Sequence, residues 1–520
     1  MSHKNPRKKL IPLSNEAFIE ALKGKIVTTL NGEEISFLKE EKDWGTVVSI
    51  AGVHILGEAL FLQNGFGHNH KIEIQDSLFE QDLFFFGGKF TNQFIIKNGS
   101  FKKSISFEEG SFGNLFKIEG GQFEEDINIG SFIFEDDFWI SGGSFRGSLN
   151  IFDEAVFNKD FWIGGGSFKE GIEFMGGEFH GPVRISGGEV SQIQTYSGGF
   201  IEFSVTPLAI VKRINFFEGK FQEIEIVTAE YSLAFLSFSH EIVVHSGVKV
   251  TGSFSKIVFD SVKLKHGAIY LSNVNVEYLW FRGFLNESKL DVNGLRSKIL
   301  GRGFISIKNS DLGHAIFRGA NFKSFRTIHI SNSRLHSVIT IGGYIPSNLD
   351  IGSIDNKHPE PERSAETYNQ LTLAMQKQGN RDKEVEYYTS YLDWQRKAYL
   401  KEKKWSAAGS LWMHKISTEY GSSWIRGALL TIFVVSPVCY LIYSLTLPGV
   451  CCHFFQDGWQ SGVTLHLKYF LTFLLPTHSL DFVQGIKLSW ASYALDIFGR
   501  ILIGFMIYQT IAAFRRYGKV

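Results

Sequence analysis

Phenylalanine recurs in the first half of the chain with a period of 11 residues. The anchors are Phe79, Phe90, Phe101, Phe112, Phe123, Phe134, Phe145, Phe157, Phe168 and Phe179, with one step of 12 residues before Phe157. The residues four and six positions after each anchor are also apolar, as Ile105 and Phe107 are after Phe101. Glycine stands two positions before most anchors. A turn, an apolar corner and a strand of period two explain this pattern, and a helix does not.

The length of one coil follows from an internal near-copy. The segments 137–140 and 160–163 both read Asp-Phe-Trp-Ile and lie 23 residues apart, which is two units. We therefore expect a parallel β-solenoid over 61–355, with roughly 22 residues per coil and about 4.8 Å between stacked coils. The period weakens between 190 and 350, where we expect irregular coils. Residues 1–60, with a helix from Ser14 to Lys23, are expected to cap the solenoid.

Outward positions can be assigned because each strand alternates inward and outward residues. The position five after each anchor gives one column of Ile95, Lys117, Trp139, Trp162 and Arg184, and a second column of Phe84, Ser106, Asn128, Asn150 and Glu173. Tryptophan and arginine are typical anchors of protein interfaces. Lys117, Trp139, Trp162 and Arg184 are therefore candidates for a partner-binding surface. The alternative is that the indoles pack beneath the N-terminal segment or another loop of the chain.

Amino-acid composition limits the kinds of fold and partner that we expect for this chain. The chain has 49 Phe and 53 Gly, which suits many equivalent buried positions and many tight turns. Its 53 basic and 53 acidic side chains balance, so we expect no nucleic-acid partner. The three cysteines lie near the C-terminus and form no disulfide framework. No apolar run of signal-peptide length follows the basic N-terminus, which predicts a cytoplasmic start.

One segment resembles a known repeat family. Residues 310–322, Ser-Asp-Leu-Gly-His-Ala-Ile-Phe-Arg-Gly-Ala-Asn-Phe, are similar to the pentapeptide-repeat β-helices, although most of the Ala/Asp/Asn/Leu pattern is missing elsewhere. The resemblance implies a right-handed parallel β-helix and carries no implication about activity.

The composition changes after Pro359 and Pro361, where helical patterns begin. Residues 358–404 read as a helical hairpin, with helices from Arg363 to Gln378 and from Arg381 to about Lys404. Tyr368, Leu371 and Met375 would meet Val385, Tyr388 and Leu392 across the hairpin. Residues 405–425 carry three tryptophans among basic and polar residues. This composition predicts an amphipathic helix on the surface of a lipid bilayer.

Residues 426–520 read as a module of two transmembrane helices. Gly427 to Leu447 is free of charge and long enough to span a bilayer, with a kink expected at Pro437. The second span, Tyr493 to Phe514, contains Asp496 and Arg500, which share a helix face and can pair. A charge pair within a membrane helix is a functional hint, and the alternative places it among the lipid headgroups.

Basic residues predict the orientation of these spans. Lysines and arginines precede the first span and follow the second, whereas the loop between them carries only Lys468 and Lys487. We therefore expect a multi-pass protein with both termini in the cytoplasm. A bacterial inner membrane is the expected location.

The segment between the spans resembles the pore module of potassium-channel-like proteins. Residues 465–482 hold an apolar stretch too short to cross a bilayer, which fits a short re-entrant or interfacial helix. Gly499 to Lys519 looks like the last helix of bacterial pentapeptide-repeat proteins with an ion-channel-like tail. The resemblance implies a pore or gate, for which the candidates are Thr477, His478, Ser479, Asp481, Asp496, Arg500 and Gly504. Carbonyl-ring potassium selectivity is not implied, because the filter sequence Thr-Val-Gly-Tyr-Gly is missing.

Motifs of common enzymes are absent from the sequence. There is no nucleotide-binding loop, nucleophile elbow or Cys-x-x-Cys pair. His68 and His70 could approach one metal ion, but no third ligand accompanies them. We expect neither enzymatic activity nor a cofactor or metal.

Two functions remain. The first hypothesis is a homo-oligomeric channel-like protein, such as a tetramer, because two helices per chain cannot enclose a water path. Its cytosolic solenoid would sense or recruit an unidentified protein partner, with stress or antiphage defence as one role. The alternative is a non-conducting scaffold, in which the helices only anchor the solenoid.

Overall fold

The computed structural model describes residues 10–41, 45–63, 70–228, 234–240, 242–346, 360–447, 459–475, 477–479, 482–483 and 488–518. The chain divides into two compact units, Met1–Asp355 and Asn356–Val520. We call them the solenoid unit and the helical unit. His68 and Asp481 lie outside the described residues.

The solenoid unit consists almost entirely of short strands. Up to residue 134 they are Ile11–Ser14, Val27–Thr28, Glu34–Ile35, Leu38–Glu41, Gly45–Ala51, Val53–Leu56, Leu60–Gln63, Lys71–Gln75, Leu78–Phe79, Leu83–Phe86, Lys89–Phe90, Phe94–Lys97, Ser100–Phe101, Ile105–Glu108, Gly110–Phe112, Phe116–Glu119, Gln122–Phe123, Ile127–Ile129 and Phe132–Phe134. From residue 138 they are Phe138–Phe145, Ser148–Ile151, Val156–Phe157, Phe161–Phe168, Gly171–Phe174, Glu178–Phe179, Val183–Ile185, Gly188–Val190, Ile193–Thr195, Gly199–Val205, Ala209–Val211, Arg213–Phe216, Gly219–Val227, Ala234–Ser239, Ile242–Asp260, Lys263–Leu264, Ala268–Arg282, Leu285–Asn286, Lys289–Asn293, Arg296–Ser297, Gly303–Lys308, Ile316–Arg318, Phe325–Ser331 and Ile339–Ile341.

Parallel pairing between these strands confirms the predicted coil. Phe101 pairs with Phe79 on one side and with Phe123 on the other, so one coil contains two 11-residue units. The result is a parallel β-solenoid of about 13 turns with about 22 residues per turn. All the phenylalanine anchors are buried. Rings in successive turns stack almost in parallel, as do Phe123 and Phe145, whose centroids lie 4.6 Å apart.

Because the turns pack closely, some glycines have room for a larger side chain and others do not. A Cβ added at Gly181 would lie 2.3 Å from the carbonyl carbon of Lys159 in the turn below, whereas one added at Gly199 would meet nothing within 4 Å. Neither glycine has a positive φ, so alanine causes no backbone strain at either position. The two substitutions therefore differ only in the space available to the added methyl group.

Gly181→Ala is therefore expected to destabilise the solenoid unit by about 1–3 kcal/mol, because the backbone of Lys159 must move. Gly199→Ala is expected to stay within about 0.5 kcal/mol of the parent. Urea unfolding of the full-length variants measures both changes. Equal effects of the two substitutions would contradict the described contact between the turns.

The first turn of the solenoid includes N-terminal residues. Ile11–Ser14 pairs in parallel with Val53–Leu56, so pairing begins ahead of residue 61. The predicted helix follows at Asn15–Leu22 (α1), and the Ser14 hydroxyl accepts a hydrogen bond from the backbone N–H of Ala17 at 3.2 Å. The ring of Phe18 on α1 packs edge-on against the Phe79 ring. The capping role of residues 1–60 stays a prediction.

The helical unit contains the predicted hairpin and the two apolar helices. Its helices are Pro361–Lys377 (α2), Arg381–Lys401 (α3), Trp405–Thr418 (α4), Trp424–Leu430 (α5), Ser436–Leu445 (α6), Trp459–Phe473 (α7) and Trp490–Gly518 (α8). A π-helical turn, Thr431–Val435, joins α5 to α6 just before Pro437. Because proline cannot donate a backbone hydrogen bond, this wider turn accommodates it.

Two details differ from the sequence-based predictions. Helix α4 ends at Thr418 rather than near residue 425, since Glu419, Tyr420 and Gly421 all have positive φ. Three successive left-handed residues cannot continue a right-handed helix. In the hairpin, Tyr387 is the buried tyrosine of α3, and its neighbour Tyr388 is only half-buried.

Candidate functional site

Two helices of the helical unit, Trp424–Leu445 and Trp490–Arg516, are long and apolar enough to cross a membrane. We call them the first and second candidate spans. With the end of α7 they enclose a buried cluster of Tyr443, Leu447, Phe473, Val483 and Ile503. The hydroxyl groups of Thr446 and Ser492 hydrogen-bond at 3.1 Å between the end of the first span and the start of the second.

A charged network lies within this apolar cluster. Asp496 Oδ2 accepts from Arg500 Nε at 3.0 Å and pairs with Arg500 Nη2 at 2.7 Å. Its other oxygen, Oδ1, lies 2.9 Å from Nε2 of His478. The side chains of Asp496 and His478 are 2% and 1% exposed. The predicted pairing of Asp496 with Arg500 is therefore confirmed, and His478 is a third member that the sequence did not identify as a partner.

His478 bridges the turn and the second candidate span. Nδ1 lies 2.6 Å from the carbonyl oxygen of Leu475, and Nε2 faces the Asp496 carboxylate. Both ring nitrogens are therefore within hydrogen-bond distance of an oxygen atom. The turn between the candidate spans is thereby held to the second span.

The other pore candidates that the structure describes do not join this network. Thr477 and Ser479 flank His478 in the chain and are exposed. Gly504 is half-buried on the second span, and a Cβ added there would meet no atom within 4 Å. The structure therefore brings together His478, Asp496 and Arg500.

A second polar cluster joins the hairpin to α4. Asp393 on α3 accepts a hydrogen bond from Lys415 Nζ at 2.6 Å and one from the Tyr420 hydroxyl at 3.2 Å. Arg396 donates to the same oxygen at 3.2 Å. Burial acts to raise the pKa of Asp393, but the contacts with Lys415 and Arg396 outweigh it and hold the pKa below its ordinary value. Burial also raises the pKa of Tyr420 to about 12.

The hairpin also contacts the end of the second candidate span. The guanidinium carbon of Arg516 lies 3.9 Å from the ring centroid of Tyr388. Arg381 Nη2 donates to the backbone oxygen of Arg516 at 2.7 Å. Burial and the nearby Arg516 charge lower the pKa of His414 on α4. A displacement of the hairpin would therefore reach the second span through direct contacts.

The Asp393 cluster predicts a loss of stability in acid. Because the folded pKa is lowered, the contribution of the carboxylate is complete above the ordinary value of 3.8 and disappears as pH falls through the folded pKa. We expect Asp393→Ala to cost about 1–3 kcal/mol at neutral pH. The difference from the parent should shrink at low pH, as measured by thermal unfolding in detergent. Glu366→Ala, at an exposed site on α2, is the control, and a pH-independent difference would contradict the assignment.

One face of α4 is exposed and apolar. Trp405, Trp412 and Ile416 are 68%, 55% and 39% exposed and recur at helical spacing. An exposed apolar stripe of this kind is the feature expected of a helix lying in a bilayer interface.

The tryptophan column of the solenoid has the predicted register. Lys117, Trp139, Trp162 and Arg184 pair in that order across successive turns. Trp139 and Trp162 pack edge to face with centroids 5.4 Å apart, and Trp162 Nε1 donates to the Ser186 hydroxyl at 2.6 Å.

The charges in this column are neutralised locally. Lys117 pairs with Glu119 at 2.5 Å, and Arg184 pairs with Asp160 at 2.6 Å. Both indoles are half-buried among neighbouring turns. The binding role of this column stays a prediction.

The described residues contain no group of three metal-ligating side chains. Comparison of the chain with family models, curated proteins and solved structures finds no significant match.

Proposed function

We propose that the protein is an oligomeric channel-like membrane protein whose solenoid recruits a protein partner. The network of Asp496, His478 and Arg500 between two candidate spans carries this proposal. Buried charges within apolar helices are expensive and in membrane proteins usually mark a path or a gate. Several copies are required, because two helices cannot enclose water. The membrane module would sit in a bacterial inner membrane with both termini cytoplasmic.

The finer architecture belongs to the same proposal. The solenoid would be right-handed, and α7 would enter the bilayer as a re-entrant or interfacial helix before the turn at Thr477 to Ser479. A partner bound to the solenoid would shift the hairpin, and the contacts of Arg516 would pass this shift to the second span. Stress or antiphage defence is the role we propose for such a gated pore.

One observation favours the alternative of a non-conducting scaffold. Asp496 pairs with Arg500 of the same chain, so this ion pair does not itself require an oligomer. In that case the candidate spans serve only as an anchor, and unrelated membrane helices could replace them.

The test is the oligomeric mass in detergent together with currents in planar bilayers. A pore lined by the turn predicts discrete currents whose reversal potential in a salt gradient shifts in Ser479→Lys. The matched control is Ser406→Lys on α4, which should leave the reversal potential unchanged. A monomer without current, under conditions in which a control channel conducts, would refute the pore and favour the scaffold.

A further inference from the structure

A second aromatic surface lies on the later turns of the solenoid. Phe235, Lys256, Tyr278 and Phe304 pair in that order across successive turns. Residues next to them in each strand, such as Leu236 and Ile257, are fully buried, so the four side chains point outward.

Trp280 belongs to the same outward face, two positions after Tyr278. We call Phe235, Lys256, Tyr278, Trp280 and Phe304 the Lys256 surface. Stacked turns are about 4.8 Å apart, so its four successive turns form a strip roughly 15 Å long.

Lys256 is held against aromatic rings. Its Nζ lies 3.5 Å from the centroid of a Trp280 ring and 5.5 Å from that of Phe235. The guanidinium carbon of Arg213 approaches the same Phe235 ring at 5.7 Å. Cation–π contacts of this kind hold a positive charge without neutralising it.

Neither cation has a carboxylate partner among the described residues. Burial lowers the pKa of Lys256, and among the described residues no carboxylate counteracts the shift. The Trp280 indole N–H also has no acceptor in the part of the chain that the structure describes. The surface therefore presents two positive charges that no described carboxylate neutralises, and the Trp280 N–H donor lies buried beside them.

The column of Trp139 and Trp162 provides an internal comparison. There Lys117 also approaches a tryptophan, with 5.3 Å between Nζ and the Trp139 ring, but it pairs with Glu119. The two sites share an aromatic–lysine contact and differ in neutralisation. Among the described residues, the Lys256 surface has no carboxylate that pairs with its lysine, so an external anion could supply one.

We propose that the Lys256 surface binds an acidic, extended segment of a partner protein, which deepens the proposed recruiting role of the solenoid. Carboxylates of the segment would pair with Lys256 and Arg213, and its apolar side chains would pack on Tyr278 and Phe304. Tyr278 is 43% exposed and accessible for this contact. A half-buried charge gains more from such a pair than a fully hydrated one does.

The chemistry favours a peptide over a nucleic acid. Single-stranded nucleic acid carries a phosphate at every nucleotide and is bound by grooves lined with many cations. The unneutralised cations identified on this strip are Arg213 and Lys256, and the whole chain has no net charge. A few carboxylates separated by apolar side chains match this pattern better.

Fluorescence anisotropy of the full-length protein in detergent tests the proposal. The probes are a labelled peptide of alternating Glu and Phe, a matched peptide of Gln and Phe, and a labelled oligouridylate. We expect the acidic peptide to bind best, with an affinity that falls as salt rises. Lys256→Met should weaken binding roughly tenfold, because one charge contact is lost. Lys256→Arg should retain binding.

Lys289→Met is the matched control, since Lys289 also approaches an aromatic ring, with 5.2 Å between Nζ and the Tyr270 ring, but pairs with Asp291 at 3.8 Å. It should leave the affinity for the acidic peptide unchanged. Equal affinity for the acidic and neutral peptides, or no binding of either at millimolar concentration, would overturn the proposal. Stronger binding of oligouridylate that Lys256→Met abolishes would instead identify a nucleic-acid surface.

Chemical labelling of Lys256 gives a second readout that does not depend on affinity. Because burial lowers its pKa, its amine should react with an acylating reagent at lower pH than exposed lysines do. The acidic peptide should protect it, as peptide mass spectrometry can measure. None of these measurements depends on an ion current. The peptide-binding proposal and the pore proposal can therefore be refuted independently of each other.

Discussion

Replacing Asp496 with alanine is expected to destabilise the helical unit by about 3–5 kcal/mol, because a buried ion pair loses one partner. Arg500 would then keep its charge without a carboxylate partner, and His478 Nε2 would lose the oxygen that it faces. The turn at His478 would also lose its contact with the second candidate span. Denaturant titration of the full-length protein in detergent, followed by helical circular dichroism, measures the change.

Two further variants separate this network from a general loss of packing. Asp496→Ala combined with Arg500→Met should recover part of the lost stability, because the second change removes a charge that the first left unpaired. Thr477→Ala changes an exposed neighbour of His478 and should have little effect. If Asp496→Ala unfolds at the same denaturant concentration as the parent, the network contributes nothing to the packing of the spans.

Replacing Phe157 with alanine is expected to destabilise the solenoid unit by about 3–5 kcal/mol, because it leaves a cavity in a close-packed stack. Its ring lies between those of Phe134 and Phe179, with centroids 4.8 Å away on each side and almost parallel planes. Phe138 and Phe161 pack edge-on against it. Urea unfolding of the full-length variant measures the loss.

Phe61 offers a matched control on the outer face of the same solenoid. Its ring stacks on Phe84 at 4.8 Å, yet 47% of the residue is exposed. Phe61→Ala should therefore cost less than about 1 kcal/mol, because little area is withdrawn from water. Equal costs at the two positions would show that ring stacking, rather than burial, stabilises the coils.

The interior of the solenoid could be predicted from sequence because its environment repeats. Each coil packs against nearly identical coils above and below it. One local sequence pattern therefore determines which side chains point inward and which point outward. Phe79, Phe101 and Phe123 illustrate this point, since their predicted spacing is also their pairing register. The order of Trp139 and Trp162 followed for the same reason.

Further along the chain, irregular turns prevented the sequence period from predicting which residues pair. The pairing of Phe235 with Lys256 follows a register shift after Ala234, and another shift occurs between Thr251 and Gly252. Each shift adds or removes a residue, so a fixed period no longer aligns the outward columns. The Lys256 surface could be found only from the observed pairing.

The sequence by itself determined the coil length, the buried phenylalanines, the two apolar helices and the pairing of Asp496 with Arg500. These features depend on short-range periodicity, which a single segment encodes. The tertiary structure decided the contact of His478 with Asp496 and the cation–π contact of Arg516 with the Tyr388 ring. Such contacts join residues from separate elements, and their geometry arises only when those elements pack together.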